Sequence, residues 1–301
     1  MAQVRLSIVI PAWNQITHTR ACVTSLRENT DVSYELIIVD NGSDPEEAKS
    51  AAALADEFIG NKENLGFARA MNQGLAIAAG EFIAFVNNDT EFPTAWASKL
   101  ISTFQSFPSP GIVLPAVSAA GNQASVRTGP AERVTVFDPF TAIPSGVVYL
   151  MDRTIATDLG GWNEQYGVAS SEDLDLLFTV WSNGLSVILD ERVFVTHASA
   201  VTAAKLPGRH SIYTANRLAF AKRWARAGAD DVPRIAACPP GDFDSNLQKA
   251  RIAGTWMLRW FEAKDELAAA IAHPERPTTR MVAVQHEQAG IFRRLLNRWR
   301  G

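Results

Sequence analysis

The chain has 301 residues, 47% hydrophobic and 20% charged, which suffices for one large domain or one domain with a helical appendage. A formal net charge of -4 gives no bulk attraction for nucleic acid, so an anionic ligand must be held by local groups. Cys22 and Cys238 lack Cys or His neighbours at metal spacing and read as reduced thiols; no apolar run approaches the roughly 18 residues of a membrane span, and no signal-peptide pattern precedes the first strand, so a cytoplasmic protein is expected.

Leu6 to Ile10 is a β-branched run stopped by Pro11, and Ile16 to Glu28 has the mixed polarity of a helix. Tyr34 to Val39 is a second buried strand, ending in Asp40, Asn41, Gly42 and Ser43. Asp44 is placed to cap a helix over residues 45–56, with Pro45 at its first position and Glu46 and Glu47 in its first turn. Phe58 and Ile59 form a short third strand, residues 66–79 an Ala-rich helix closed by Gly80, and Phe82 to Val86 a fourth strand. Strands alternating with helices imply right-handed crossovers and an α/β architecture with a largely parallel, doubly wound sheet. Each strand end then delivers its loop to one rim, which collects Trp13, Asn14, Asp40, Asn41, Asn64 and residues 87–89.

At that rim ligands of open α/β sheets bind. The carboxylate of Asp40 at the second strand end is placed to accept hydrogen bonds from ribose hydroxyls or a base N–H. Asn87, Asn88 and Asp89 either hold a divalent cation through oxygen ligands or simply cap a turn. No G-x-G-x-x-G follows the first strand and no G-x-x-x-x-G-K-[ST] occurs, so hydride transfer and P-loop hydrolysis lack their phosphate cradle.

Pro93 is placed to open a helix reaching Phe107, after which prolines and glycines between Pro108 and Pro144 punctuate short strands at Ile112 to Leu114 and Val134 to Phe137. Residues 146–151 read as another strand and Gly160 to Glu164 as a turn. Glu172, Asp173 and Asp175 then crowd the start of a helix ending near Ser182. Either they favour the helix dipole behind a Ser170 or Ser171 cap, or one of them is a general base. Ser186 to Leu189 and Val193 to Val195 read as strands, followed by His197, a structural histidine or a ligand. Residues 209–227 read as a helix with Arg217, Lys222 and Arg223 on a solvated face. A boundary near residues 228–240 separates a body, 1–228, from a helical extension, 229–301. In its last helix Phe292, Leu295, Leu296 and Trp299 share one face among arginines, fit to pack on the body or a second subunit, or to lie on an anionic membrane.

Five segments carry a resemblance: Leu6-Ser-Ile-Val-Ile-Pro-Ala-Trp-Asn14, Leu36-Ile-Ile-Val-Asp-Asn-Gly-Ser-Asp44, Asn64-Leu-Gly-Phe-Ala-Arg-Ala-Met-Asn72, Gly80 through Asp89, and Gly160-Gly-Trp-Asn-Glu164 followed by Glu172-Asp173-x-Asp175. In this order and spacing they resemble the family 2 inverting glycosyltransferases of the GT-A fold, in particular the bacterial rhamnosyltransferase-like branch, over about Leu6 to Trp224. The resemblance implies a nucleotide-sugar half, 1–107, and an acceptor half, 108–228. It implies transfer of a hexose or deoxyhexose from a UDP- or dTDP-sugar to a glycan or lipid-linked glycan, with Mg²⁺ or Mn²⁺. Pro11, Ala12, Trp13, Asn14, Asp40 and Asn41 would hold the nucleotide, with Asn64, Gly66, Arg69, Asn72, Asn87 and Asn88 along the donor. Asp89 and His197 would bind the metal, and Asp173, beside Glu172, would be the base. Asn87 departs from the family, standing where the Asp-x-Asp motif has its first carboxylate. A homo-oligomer and peripheral contact with the inner membrane face remain open. Two other classes share features: a nucleotidyltransferase, whose basic glycine-rich loop residues 11–14 lack, and a non-catalytic binding module for a sugar nucleotide or glycan.

Overall fold

The buried runs of the first ninety residues become parallel strands because large aliphatic side chains alternate to fill both faces of a sheet. The computed structural model describes residues 4–118, 125–140, 144, 147–168, 170–198 and 208–272; the expected final helix with Phe292 to Trp299 lies outside them. β1 (Leu6–Ala12), β2 (Tyr34–Asp40), β3 (Glu57–Gly60) and β4 (Phe82–Val86) pair in parallel in the order β3-β2-β1-β4. Their crossovers are α1 (Ile16–Asn29), α2 (Pro45–Ala52) and α3 (Phe67–Ile77).

Beyond β4 the sheet becomes mixed. β8 (Val148–Asp152) lies antiparallel between β4 and β6 (Pro110–Val117), and β9 (Ser186–His197) runs parallel to β6. β5 (Thr90–Glu91) and β7 (Val134–Val136) add antiparallel to β9. The expected parallel character is continuous through the N-terminal half, where helix-length connections join the strands, and recurs in the β6–β9 pair.

Alternation along β1 sorts the core into two layers. Leu6, Ile8 and Ile10 pack with Cys22, Val23 and Leu26 of α1 and with Leu100, Ile101 and Phe104 of α4 (Trp96–Ser106). Val9 faces the other way, in a cluster with Met71 of α3, Phe178 of α6 (Glu172–Ser182) and Trp224 of α7 (Arg209–Arg226). α8 (Pro240–Ala272) belongs to that cluster through Phe243, Leu247 and Ala250.

Several boundaries differ from the sequence reading, each for a local reason. β1 continues through Pro11 because β4 pairs only with Leu6 to Val9, leaving that flank of the later residues without a ladder to break. Asp44 makes no side-chain cap; its own N–H donates to Asn14 Oδ1 instead. α3 ends at Ile77 with Ala78 extended, so Gly80 is no helix terminator; a Cβ there would stand 2.6 Å from Ser7 N. α4 starts at Trp96 rather than Pro93, and Ser171, left-handed at φ 79, makes no side-chain cap for α6. The two strands expected after Ser186 are one, with a register break where Glu191 turns toward Arg127 and Arg133. A helix unforeseen in the sequence, α5 (Arg153–Asp158), is capped by Asp152, whose Oδ1 accepts from the N–H groups of Thr154 and Ile155.

Gly74 shows how closely α3 lies on the sheet: a Cβ there would meet Val9 Cγ1 at 2.3 Å. Gly74→Ala is expected to destabilise the protein by about 1–3 kcal/mol despite alanine's better helix propensity, because the buried β-branched neighbour has no room to yield. Urea denaturation reads this directly, and an unchanged or higher midpoint would show that α3 lifts off β1 without cost.

Candidate active site

The loop after β1 and the start of α2 enclose a cavity of about 450 Å³ lined by Trp13, Asn14, Gln15, Ile16, Thr17, His18, Asp44 and Glu47. Asn14 and Gln15 are both left-handed, at φ 52 and 59, which turns the chain sharply into α1. Hydrogen bonds hold this turn: Asn14 N–H donates to Ser43 Oγ at 2.7 Å, and Ile16 N–H to Glu47 Oε2 at 2.7 Å. Pro11 and Ala12 lie within β1, with Ala12 in register with Asp40. Asp40 is buried and accepts both the N–H and the hydroxyl of Ser43, so it braces the loop that carries Asn14.

Asparagines expected along the donor also join one loop to another. Asn41 donates to Gly66 O at 3.1 Å and accepts from Asn61 at 3.0 Å. Asn64 Oδ1 accepts from the N–H of Gly66, whose φ is 89 and whose Cβ would lie 2.0 Å from Gly167 O, so only glycine fits. Asn72 exchanges hydrogen bonds with the backbone of Trp162 and donates to Glu164 at 2.9 Å. Arg69 donates to Glu164 at 3.0 Å. Arg69 and Asn72 thereby tie α3 to the loop before α6, and the Asn72 hydrogen bond leads in holding Glu164 below the usual carboxylate range. Asn88 is buried and donates to Thr19 of α1, away from the role expected for it, whereas Asn87 is partly exposed at the end of β4.

Asp89 and His197 come together across the β5–β9 pairing, with His197 Nε2 3.1 Å from Asp89 Oδ1 and both side chains largely buried. Backbone bonds fix them: Ala198 N–H donates to Asp89 O, and His197 N–H to Ser118 Oγ. Among the described residues no group of three or more His, Cys, Asp or Glu could hold a metal. One carboxylate and one imidazole nevertheless fit Mg²⁺ or Mn²⁺ that draws its remaining oxygen ligands from a diphosphate and water.

α6 carries three carboxylates with different surroundings. Helical rotation sets Asp173 and Asp175 about 200° apart, so they face different neighbours. Asp175 is buried; its Oδ1 accepts from Tyr166 Oη at 2.7 Å, Arg223 Nε at 2.9 Å and Trp224 Nε1 at 2.9 Å, and its Oδ2 from Asn163 Nδ2 at 3.0 Å. Arg223 is therefore engaged with a buried acid rather than set on a solvated face. Asp173 is half-buried and accepts the Leu174 N–H at 2.9 Å; burial raises it above the usual carboxylate range, against opposing backbone N–H groups and Arg217. Burial, then the charge of Asp173, pushes Glu172 up to about 8. Both carboxylates act on the hydroxyl of Tyr149, which lies opposite Phe85 in the β4–β8 ladder. Through Tyr149 the charges at the start of α6 are thus linked to the strand that leads into Asn87 and Asp89.

Such a rim, with acidic groups from strand ends and one helix start around a three-layer sheet, defines a GT-A-type fold. Residues 7–137 match the family model described as Glycosyl transferase family 2. The chain is 32% identical over 102 residues to the protein named Putative glycosyltransferase EpsH of Bacillus subtilis, covering 33% of this chain and 30% of that protein. It spans less than half the length of the curated relatives it matches. Among solved structures it is similar to GalNAc-T7 with UDP, GalNAc and Mn²⁺, at TM-score 0.56 and 15% identity, covering 90% of this chain and 58% of that one. It is also similar to the mannosyltransferase PcManGT of Pyrobaculum calidifontis with GDP-Man and Mn²⁺, at TM-score 0.53 and 19% identity, covering 97% and 83%.

Sequence reasoning missed the parts played by Glu164, Ser43, Tyr149 and Arg223. Ser43 and Glu164 lay within the segments that carry the resemblance, and Asp175 left a signal in its spacing from Asp173 on a helix. Asp175→Ala is expected to cost about 3–5 kcal/mol, because it leaves the Arg223 charge and the Trp224 N–H without their acceptor. Chemical denaturation tests this, and a loss under a third of that size would mean that the neighbours find other partners.

Proposed function

We propose that the protein is an inverting glycosyltransferase that moves a hexose or deoxyhexose from a UDP- or dTDP-linked donor to a hydroxyl of a glycan or lipid-linked glycan. The observation that carries this reading is that the charge of Asp173, at the start of α6, acts on Tyr149, which pairs with Phe85 in the strand leading into Asn87 and Asp89. The family 2 match over residues 7–137 supports it, as do the UDP and GalNAc in one similarly folded protein and the GDP-Man in another. The segments that resemble the rhamnosyltransferase-like branch are in keeping with a hexose or deoxyhexose donor.

In this reading the cavity beside Trp13 and Asn14 receives the nucleotide, and Asn87 and Asp89 flank the diphosphate. Asp173 takes the proton from the acceptor hydroxyl as its oxygen attacks the anomeric carbon. The bond from that carbon to the diphosphate breaks in the same displacement, the nucleoside diphosphate departs, and the anomeric configuration inverts. A divalent ion, held by Asp89 and His197, supplies Lewis-acid stabilisation of the departing charge when bound. Because the base must be ionised, transfer falls as pH drops through the raised pKa of Asp173.

Asp173→Asn should keep donor binding while transfer drops by a factor of about 100 or more, as expected when a general base is lost. A radiolabelled-sugar assay decides this, and turnover near wild type rejects Asp173 as base. Asp89→Ala should remove the gain in nucleotide affinity that Mn²⁺ confers. Calorimetric affinities equal to wild type, with and without Mn²⁺, would count against Asp89 as a metal ligand.

A further inference from the structure

Two adjacent carboxylates at the start of α6 present a physical problem that the proposed reaction does not use. Glu172 Oε2 is buried and has no hydrogen-bond partner. Two hydroxyls are in the same condition, Ser171 Oγ on the preceding residue and Tyr149 Oη on β8, the latter acted on by the charge of Glu172; these residues are 2% and 1% exposed. An ionised carboxylate in such a place draws neighbouring hydroxyls into short, charge-assisted bonds, and a buried charge left without them is costly. Neither hydroxyl bonds Glu172. Asp173, by contrast, accepts the N–H of Leu174 and has Arg217 of α7 acting on it. Like charges side by side in a low dielectric cannot both ionise readily, and the better-solvated one keeps the charge.

We propose that Glu172 works as a neutral carboxylic acid, a positioning residue that leaves Asp173 as the one ionised member of the pair. This rests on the reading of Asp173 as base. The fold holds the arrangement under backbone strain, since Ser170 and Ser171 are consecutive left-handed residues at φ 78 and 79. Among the described residues the charged group that acts on Glu172 is Asp173 on its own helix; Tyr149 on β8 is a phenol that both carboxylates act on, and Arg217 from α7 acts on Asp173. Burial is the chief cause that raises Glu172, and the N–H groups of Ser170 and Glu172 offset it only in part. With one negative charge rather than two, the helix start repels an approaching diphosphate less, and the basicity of Asp173 stays fixed across the neutral range.

The proposal distinguishes conservative from truncating variants and predicts a particular pH profile. Transfer in the wild-type protein should rise as Asp173 ionises and fall again as Glu172 ionises above neutral pH. Glu172→Gln, uncharged and of equal shape, should keep turnover within about tenfold at neutral pH and lose the alkaline fall, whereas Glu172→Ala should lose more, through kcat rather than KM. Glu172→Gln that folds and binds donor but loses transfer as deeply as Asp173→Asn overturns the neutral role while leaving Asp173 as base. Transfer retained by Asp173→Asn removes the base assignment, and this inference with it. Should Glu172→Gln not fold, the wild-type protein decides alone: carboxyl carbon NMR of the glutamate-labelled chain should show one glutamate still protonated at neutral pH, and its absence overturns the proposal.

Discussion

The Asp175 carboxylate is the interaction on which the rest of the site depends. It gathers a phenol, a guanidinium, an indole and an amide from the loop before α6 and from α7, so that three separate segments share one buried anion. Charge-assisted bonds of this kind fix direction as well as distance. Because Asp175 stands two residues after Asp173 on a rigid helix, fixing one face of α6 determines where the other points. Aim at the rim is therefore set from within the core.

A second set of contacts joins the two halves of the sheet. Asn72, Arg69 and Glu164 clamp α3 to the loop that precedes α6, and the glycines at 66 and 167 meet backbone to backbone. Residues that resemble donor contacts by motif thus position the loop before α6 relative to the parallel strands. Distances between reacting groups matter to fractions of an ångström, and packed, hydrogen-bonded backbone holds them better than long side chains.

The acids of the protein divide by how their charge is met. Glu191 sits between Arg127 and Arg133, whose hydrogen bonds hold it down to about 2, and Asp190 is likewise lowered beside Arg192 and Thr103. These pairs anchor β9 and the segment leading to β7. Glu172 and Asp173 lie at the opposite pole, raised by burial instead of lowered by arginines. Structural acids receive matching cations here, whereas those at the helix start keep their proton affinity, as the proposed general-base role requires.

The strand–helix alternation of the first ninety residues was written in local sequence, since buried parallel strands must be continuous aliphatic runs and their crossovers must be helices. So was the collection of polar residues at strand ends, including Asp40 and Asp89, because those ends are marked by abrupt loss of hydrophobicity. What the sequence could not carry was which polar group meets which. The pairing of Asp89 with His197, more than a hundred residues apart, follows from β5 lying on β9. The different surroundings of Asp173 and Asp175 follow from what packs on each face of one helix, as does the burial of Glu172 Oε2 without a partner. Local patterning decides whether a residue is in a strand, a helix or a turn; only the folded arrangement decides the solvent, charges and donors around its side chain, and these set its chemistry.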